Sequence, residues 1–317
     1  MLRYITGRIL WLIPTLFGVS VLIFVMMRVL PGDAAVAMSG GFATQEDLES
    51  LRQYLGFDRP IYVQYLRWIW NCMQGDFGRS IQLSVPVLEV IVPKFYNTLI
   101  LTAGSLVITI TVGWLVGIVS AVRQYSLTDR FTMLITLAGI SLPAFWLGLV
   151  LMSLFAYKMR WLPSTGMYSL RGGGSPFVDL LRHLILPAIT TAAVPTAIIA
   201  RITRSSMLET IKQDYILTIR AKGLPEVIVI FKHALKNAFP QIVNITGLQI
   251  GYLMGGAIFT EVVFSWPGIG LMLYSAISAR DYPLVQGVTL VASLGFVVIN
   301  LLVDIVHTWL DPRVELA

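Results

Sequence analysis

The chain has 317 residues, 56% of them hydrophobic and 13% charged, with a formal net charge of +6. Soluble domains carry about 25% charged residues, so the deficit points to several bilayer spans rather than to one large core. The bases flank apolar runs instead of forming a stripe on a soluble face, which argues against nucleic-acid binding. A single cysteine, Cys72, rules out an intrachain disulfide, and His183, His233 and His307 lie too far apart to suggest a metal site.

A helix needs about 20 mostly apolar residues to cross the hydrocarbon. In chain order, the stretches without Asp, Glu, Lys or Arg that suit this length are Ile9–Met27, Phe95–Val122, Phe131–Tyr157, His183–Ala200, Asn237–Thr260 and Tyr282–Val303. Backbone groups left unpaired in lipid are costly, so each stretch is expected to be a helix. The first has Arg3 and Arg8 before it and Ala35-Val36-Ala37 after it, but its apolar run exceeds a signal-peptide core; a retained helix is expected. Segment 28–96 follows. Thr44-Gln45-Glu46-Asp47 reads as a helix start, with Leu48, Leu51 and Leu55 on one face and Gly56 as its stop. Ile61, Tyr65, Trp68 and Ile69 form a second apolar face, either a cap on the membrane surface or a dock for an external partner. In the second span, Gly113-Trp114-Leu115-Val116-Gly117 suits close helix packing. Val262–Ala279 is also uncharged, but Trp266-Pro267-Gly268-Ile269-Gly270 breaks it. It reads as a short interfacial or re-entrant piece, with a seventh span as the alternative.

Six spans put both termini on one side. The short segments there hold Arg3, Arg8, Arg123, Arg130, Arg201, Arg204, Lys212, Arg220, Lys222, Lys232, Lys236 and Arg313; the opposite short loops hold Lys158, Arg160, Arg171, Arg182 and Arg280. The positive-inside bias therefore places the termini and segment 201–236 in the cytoplasm, and 28–96 outside.

No Lys is followed by Ser or Thr, so a Walker-type phosphate cradle is missing, and there is no G-x-S-x-G elbow. The spans hold almost no ionisable groups; Glu261 and Asp304 read as end-of-helix anchors rather than proton relays. A transporter of this composition needs energy from another chain. In segment 201–236, Tyr215, Ile216, Ile219 and Leu224 are roughly helically spaced with bases between them. Such a short amphipathic helix can lie on the membrane or dock in a partner's groove.

Several motifs occur in order: Leu30-Pro31-Gly32-Asp33, Leu55-Gly56-Phe57-Asp58-Arg59-Pro60, Gly75-Asp76-Phe77-Gly78-Arg79-Ser80, Arg204-Ser205-Ser206-Met207, Arg220-Ala221-Lys222-Gly223-Leu224, Phe264-Ser265-Trp266-Pro267-Gly268-Ile269-Gly270, Arg280-Asp281-Tyr282-Pro283 and Asp311-Pro312-Arg313. On these the chain resembles, over its full length, the inner-membrane permease subunits of binding-protein-dependent ABC importers, in the branch handling di- and oligopeptides, glutathione and nickel. The resemblance implies an all-α polytopic fold of the type I importer class, with about six transmembrane helices. Its division would be a first helix plus external helical loop (1–94) and a five-helix permease core (95–317).

The resemblance also implies a coupling region at Asp214, Tyr215, Thr218, Arg220, Ala221, Lys222, Gly223 and Leu224, which docks on a cytoplasmic ATPase. Leu217-Thr218-Ile219 departs from the family's Glu-Ala-Ala, and Pro225 after Leu224 is unusual for it. Glu261, Trp266, Pro267 and Gly268 would form an external gate or binding-protein contact, or else a simple helix stop. The implied partners are a homologous second permease subunit, ATPase subunits that hold the ATP and magnesium, an external solute-binding protein and membrane lipid. The chain itself would hold no cofactor and would not be an enzyme. The alternative function is a stand-alone secondary carrier, which would need buried charges and an inverted repeat.

Overall fold

The computed structural model describes residues 2–29, 44–46, 49, 58–169 and 175–310. The expected helix at Leu48, Leu51 and Leu55, the Leu30-Pro31-Gly32-Asp33 and Leu55-Gly56-Phe57 stretches, Arg171 and Asp311-Pro312-Arg313 lie outside the described residues. Among the described residues the architecture is helical, with one isolated antiparallel bridge between Arg79 and Pro86. We number the helices α1 (Leu2–Val29), α2 (Ile61–Met73), α3 (Val87–Val122), α4 (Leu127–Ser141), α5 (Ala144–Leu151), α6 (Pro176–Ile211), α7 (Asp214–Ala221), α8 (Leu235–Val263), α9 (Ile269–Ser278) and α10 (Tyr282–Leu310). Wide π-helical turns extend α5 through Met152–Lys158 and lead into α8 over Val229–Ala234.

Among the described residues, five helical stretches are long and apolar enough to cross a membrane, namely Leu10–Val29, Val87–Val122, Pro176–Ile211, Glu226–Val263 and Tyr282–Val303. The expected third span, Phe131–Tyr157, is not one straight helix: it bends by 112° between Ser141 and Ala144. Pro143 is the cause. It disfavours helical backbone in the residue before it, and Leu142 is extended at φ −84°, ψ 132°. The bent pair nonetheless advances steadily along its neighbours. Asp129 pairs with Arg204, a Cβ at Gly139 would lie 3.6 Å from the Ala197 Cβ, and one at Gly148 would lie 3.2 Å from Thr190 and 3.1 Å from Phe264. Beyond the bend, Gly166 N–H donates to the Phe264 carbonyl at 2.8 Å. Contacts that progress from Arg204 to Thr190 along α6 describe one broken span rather than a loop that turns back. At ten residues, α9 is too short to cross.

The chain folds as two units, Thr98–Trp266 with the chain from Ile299, and Leu2–Asn97 with Pro267–Val298. In the first, α3 packs on α6 through small residues. A Cβ on Gly117 would lie 2.5 Å from the Thr203 Cβ and 2.7 Å from the Ala200 carbonyl, and one on Gly113 would lie 3.0 Å from Ile199. Lipid tails offer no hydrophobic drive between helices, so this close approach supplies the packing, as the Gly113/Gly117 spacing predicts. The indole N–H of Trp114 donates to Thr246 at 3.1 Å and links α3 to α8.

In the second unit, Val87 and Ile91 of α3 pack with Ile269, Met272 and Ala276 of α9 and Leu284, Val285 and Val288 of α10. Asp281, fully buried, accepts from Ser80 Oγ, from Gln82 N–H at 3.1 Å and from Leu284 N–H at 3.2 Å. It thereby caps α10 and staples the 75–86 segment to that cap. Within the staple, Gly75 and Gly78 take the left-handed conformation at φ +85° and +80°.

Candidate functional site

Segment 201–236 divides differently from its reading as one loop. Arg201–Ile211 completes α6, and α7 begins after a two-residue break at Lys212-Gln213. Ile216 of α7 is fully buried in a cluster with Ala121, Met207, Val229, Ile230, Ala234, Ala238 and Ile242, and Tyr215 and Ile219 pack against it. Burial of an isoleucine contributes roughly 1.5–3 kcal/mol, so this one residue seats a helix too short to be stable alone. The Tyr215 hydroxyl accepts from Asn237 Nδ2 at 2.9 Å.

The opposite face is open. Asp214, Leu217, Thr218 and Ala221 are all exposed, and their i, i+3, i+4, i+7 spacing makes one continuous helical stripe. Leu217, more than half exposed, was not among the residues the sequence singled out; its place in the stripe becomes legible only once Ile216 is known to point inward.

The helix ends where its chemistry requires. Gly223 takes φ +77° and donates its N–H to the Arg220 carbonyl at 2.9 Å, while Lys222 N–H reaches the Thr218 carbonyl at 3.3 Å. This is a left-handed glycine stop, with Pro225 just beyond it. Leu224 therefore lies past the helix rather than on its apolar face, and it is exposed, as are Lys222 and Gly223. Nothing lies within 4 Å of a Cβ placed on Gly223, so backbone conformation is what selects glycine there. Arg220 forks onto Glu226 through Nε at 3.2 Å and Nη2 at 2.6 Å, and this hydrogen-bonded carboxylate raises the guanidinium pKa. Both side chains are open to solvent, which limits the pair to about 0–1 kcal/mol.

A largely buried ion pair absent from the sequence-based site joins α4 to α6. Arg204 Nε and Nη2 each reach an Asp129 carboxylate oxygen at 2.8 Å. Ser120 Oγ and Tyr125 N–H donate to the same carboxylate, and Ser126 Oγ accepts from Asp129 N–H to cap α4. The bond to Asp129 holds Tyr125 at φ +65°. Arg204 stood out as part of a motif; Asp129 carried no local signal, because its partner lies 75 residues away.

The 261–268 turn is built in the opposite way. Glu261, at the end of α8, is fully buried and accepts from Thr98 Oγ1 at 2.6 Å. Trp266 N–H donates to the Glu261 carbonyl at 2.9 Å, and the indole is fully buried with Leu101, Met167, Ala188 and Ala257. Pro267 is half-buried, with its carbonyl accepting from Asn97 Nδ2 at 2.9 Å, and Gly268 is buried. Neither the Glu261 carboxylate nor the Trp266 ring meets the surface of this chain.

Among the described residues, five apolar crossings, or six with the bent pair taken as one span, and a short helix that presents an open stripe suit a transporter's membrane subunit. Family comparison agrees. Residues 113–316 match the binding-protein-dependent transport system inner membrane component, and residues 1–102 match the N-terminal part of such membrane components. The chain belongs to this family. It is 42% identical over 315 residues to the glutathione transport system permease protein GsiC of Escherichia coli K12, covering 99% of each chain. It is 41% identical over 332 residues to the dipeptide transport system permease protein DppB of Alkalihalophilus pseudofirmus, covering 99% of this chain and 100% of that one. Among solved structures, an inward-facing form of the MetNI methionine ABC transporter shares the fold, with a TM-score of 0.58, 18% identity and coverage of 71% of this chain and 97% of that chain. The permease is thus a multi-pass inner-membrane component of an ABC importer, forming half of a translocation pathway. It is not itself catalytic, since ATP hydrolysis in such systems belongs to separate ATPase subunits. Paired permeases, ATPases and a binding protein are the usual makeup of these importers.

Proposed function

We propose that the permease carries small peptides or peptide-like thiols, in the class of dipeptides and glutathione, across the membrane, paired with a homologous second permease. The support is whole-chain similarity to a glutathione permease and a dipeptide permease at nearly equal identity. Both termini and α7 face the cytoplasm in this reading, following the distribution of Lys and Arg between the short loops. The functional division in this reading runs between 1–94, the first transmembrane helix plus an external helical loop, and 95–317, the five-helix permease core.

The observation that carries the mechanism is the two-faced build of α7. Ile216 locks it to the transmembrane body, and Asp214, Leu217, Thr218 and Ala221 remain open. An ATPase groove that grips this stripe moves α7, and the cluster around Ile216 passes the motion to α6, α3 and α8. Tyr215 braces the helix against α8 and Arg220 ties its end to the solvated Glu226; Lys222, Gly223 and Leu224 form the rim of the docking surface. Glu261, Trp266, Pro267 and Gly268 act as an internal gate element rather than as a first contact for the binding protein, a reading their burial favours.

The test is co-purification from cells that carry the partner subunits, beside Gly223→Arg and Leu217→Glu. ATPase subunits should accompany the wild type and be lost from both variants, while the second permease is kept. Uptake of labelled glutathione and dipeptides by vesicles loaded with ATP, with binding protein added, should then depend on ATP. A chain that purifies alone and transports without ATP overturns the reading.

A further inference from the structure

Helix α2 is apolar on two of its three faces, and the contacts of one face give its depth. Tyr65 and Trp68, at i and i+3, turn toward α1, and Cys72, at i+7, falls on the same helix face. The Tyr65 ring lies between Phe17 and Phe24, with centroids 6.2 and 5.4 Å away, and Trp68 lies 5.7 Å from Phe24. The Tyr65 hydroxyl hydrogen-bonds Ser20 Oγ at 2.8 Å. Cys72 is buried.

These α1 residues are well inside its apolar run. Arg8 and Arg28 bracket it, about 30 Å apart on a helix rising 1.5 Å per residue, which matches the hydrocarbon thickness. The Arg28 guanidinium folds back over the Phe24 ring at 4.9 Å, as a base at a span's end does. Ser20 lies eight residues before Arg28, about 12 Å inward. A tyrosine hydroxyl at that depth has no water to bond, and Ser20 satisfies it.

The remaining two faces complete the picture. Tyr62, Leu66, Trp70 and Met73, at i, i+4, i+8 and i+11, are each at least 60% exposed. Gln64, Arg67 and Asn71 form a polar stripe on the other side. Three faces roughly a third of a turn apart suit a helix lying in the plane of a leaflet, with a neighbour beside it, acyl chains below and water above. Tyr and Trp at the margin are the residues that settle at a bilayer interface.

We propose that α2 is not a cap above the membrane but an in-plane helix sunk into the leaflet at the C-terminal end of α1, with Tyr62, Leu66, Trp70 and Met73 covered by lipid acyl chains. The occupant is lipid rather than a soluble partner, because the Tyr65–Ser20 contact puts this helix at hydrocarbon depth. Anchored so, α2 sets the height at which the Asp281-stapled 75–86 segment stands at the surface. The proposal needs only that α1 spans the bilayer and does not depend on substrate or ATPase coupling.

The experiment places single cysteines at Leu66, Trp70 and Asn71 in a Cys72→Ala background. Nitroxide-labelled full-length permease, co-expressed with its partner subunits, is returned to phospholipid bilayers. Spin relaxation by oxygen is compared with relaxation by a water-soluble nickel chelate. Oxygen should exceed nickel at Leu66 and Trp70, and nickel should exceed oxygen at Asn71. Nickel relaxation at Leu66 and Trp70 equal to that at Asn71 puts the face in water and overturns the proposal. Exclusion of both relaxants from Leu66 and Trp70 means a protein covers the face, which overturns it equally. Should the cysteine variants fail to assemble, the unmodified protein is labelled in membranes with a lipophilic photoactivated carbene. Insertion within Tyr62–Met73 supports the proposal, and its absence there refutes it.

Discussion

The α7 stripe and the 261–268 turn are the two regions singled out for function, and they are built on opposite principles. In α7 one apolar residue, Ile216, is committed to the body, and the other face is left without contacts; its ion pair is solvated and its glycine stop stands in open space. In the turn, the carboxylate and the indole are both fully buried, the carboxylate accepts from Thr98, and the Trp266 backbone N–H donates to the Glu261 carbonyl. Residues that wait for a partner keep their polar groups in water, whereas residues that hold a fold satisfy theirs inside it. Substitutions should therefore separate the two: those in the turn should lower stability first, and those on the stripe should lower coupling first.

The largest effect should come from Asp129→Ala. It leaves the Arg204 guanidinium without its carboxylate at a largely buried site, which costs about 3–5 kcal/mol; thermal unfolding in detergent should show a large drop, and Asp129→Asn a smaller one. Trp266→Ala empties a fully buried site and should cost about 3–5 kcal/mol, read by the same assay. A Trp266 variant that unfolds normally but fails to respond to binding protein would reverse the comparison and make the turn a contact surface. Ile216→Ala should cost about 2–5 kcal/mol and also uncouple ATP hydrolysis from transport, since it frees α7 from the body. Gly223→Ala should cost about 1–2 kcal/mol, because the side chain meets no atoms and only the left-handed backbone resists it. Arg220→Gln should change stability by less than about 1 kcal/mol, with any loss shrinking as salt rises.

Much of this was legible in the sequence, for reasons tied to particular residues. Hydrocarbon disfavours charge whatever the neighbours, so five of the long uncharged runs fall within straight spans, while Pro143 and Trp266-Pro267-Gly268 break the other two. Gly113 and Gly117 point to a close helix contact because small residues let two backbones approach in lipid, whereas the stop at Gly223 was hidden by the helical spacing of Leu224 with Ile219. The bend at Leu142–Pro143 was open to the same reasoning, since proline constrains the residue before it, but the length of the apolar run masked it.

Tertiary structure alone decided the pairings. Asp129 meets Arg204 across 75 residues, Glu261 meets Thr98 across 163 and Asp281 meets Ser80 across 201. In each, a carboxylate becomes a buried acceptor only because a distant donor arrives. Which face of α7 or α2 turns inward is decided in the same way. Periodicity gives the faces, but the packing partner selects among them, and that partner is fixed by long-range contact energies that no local window contains.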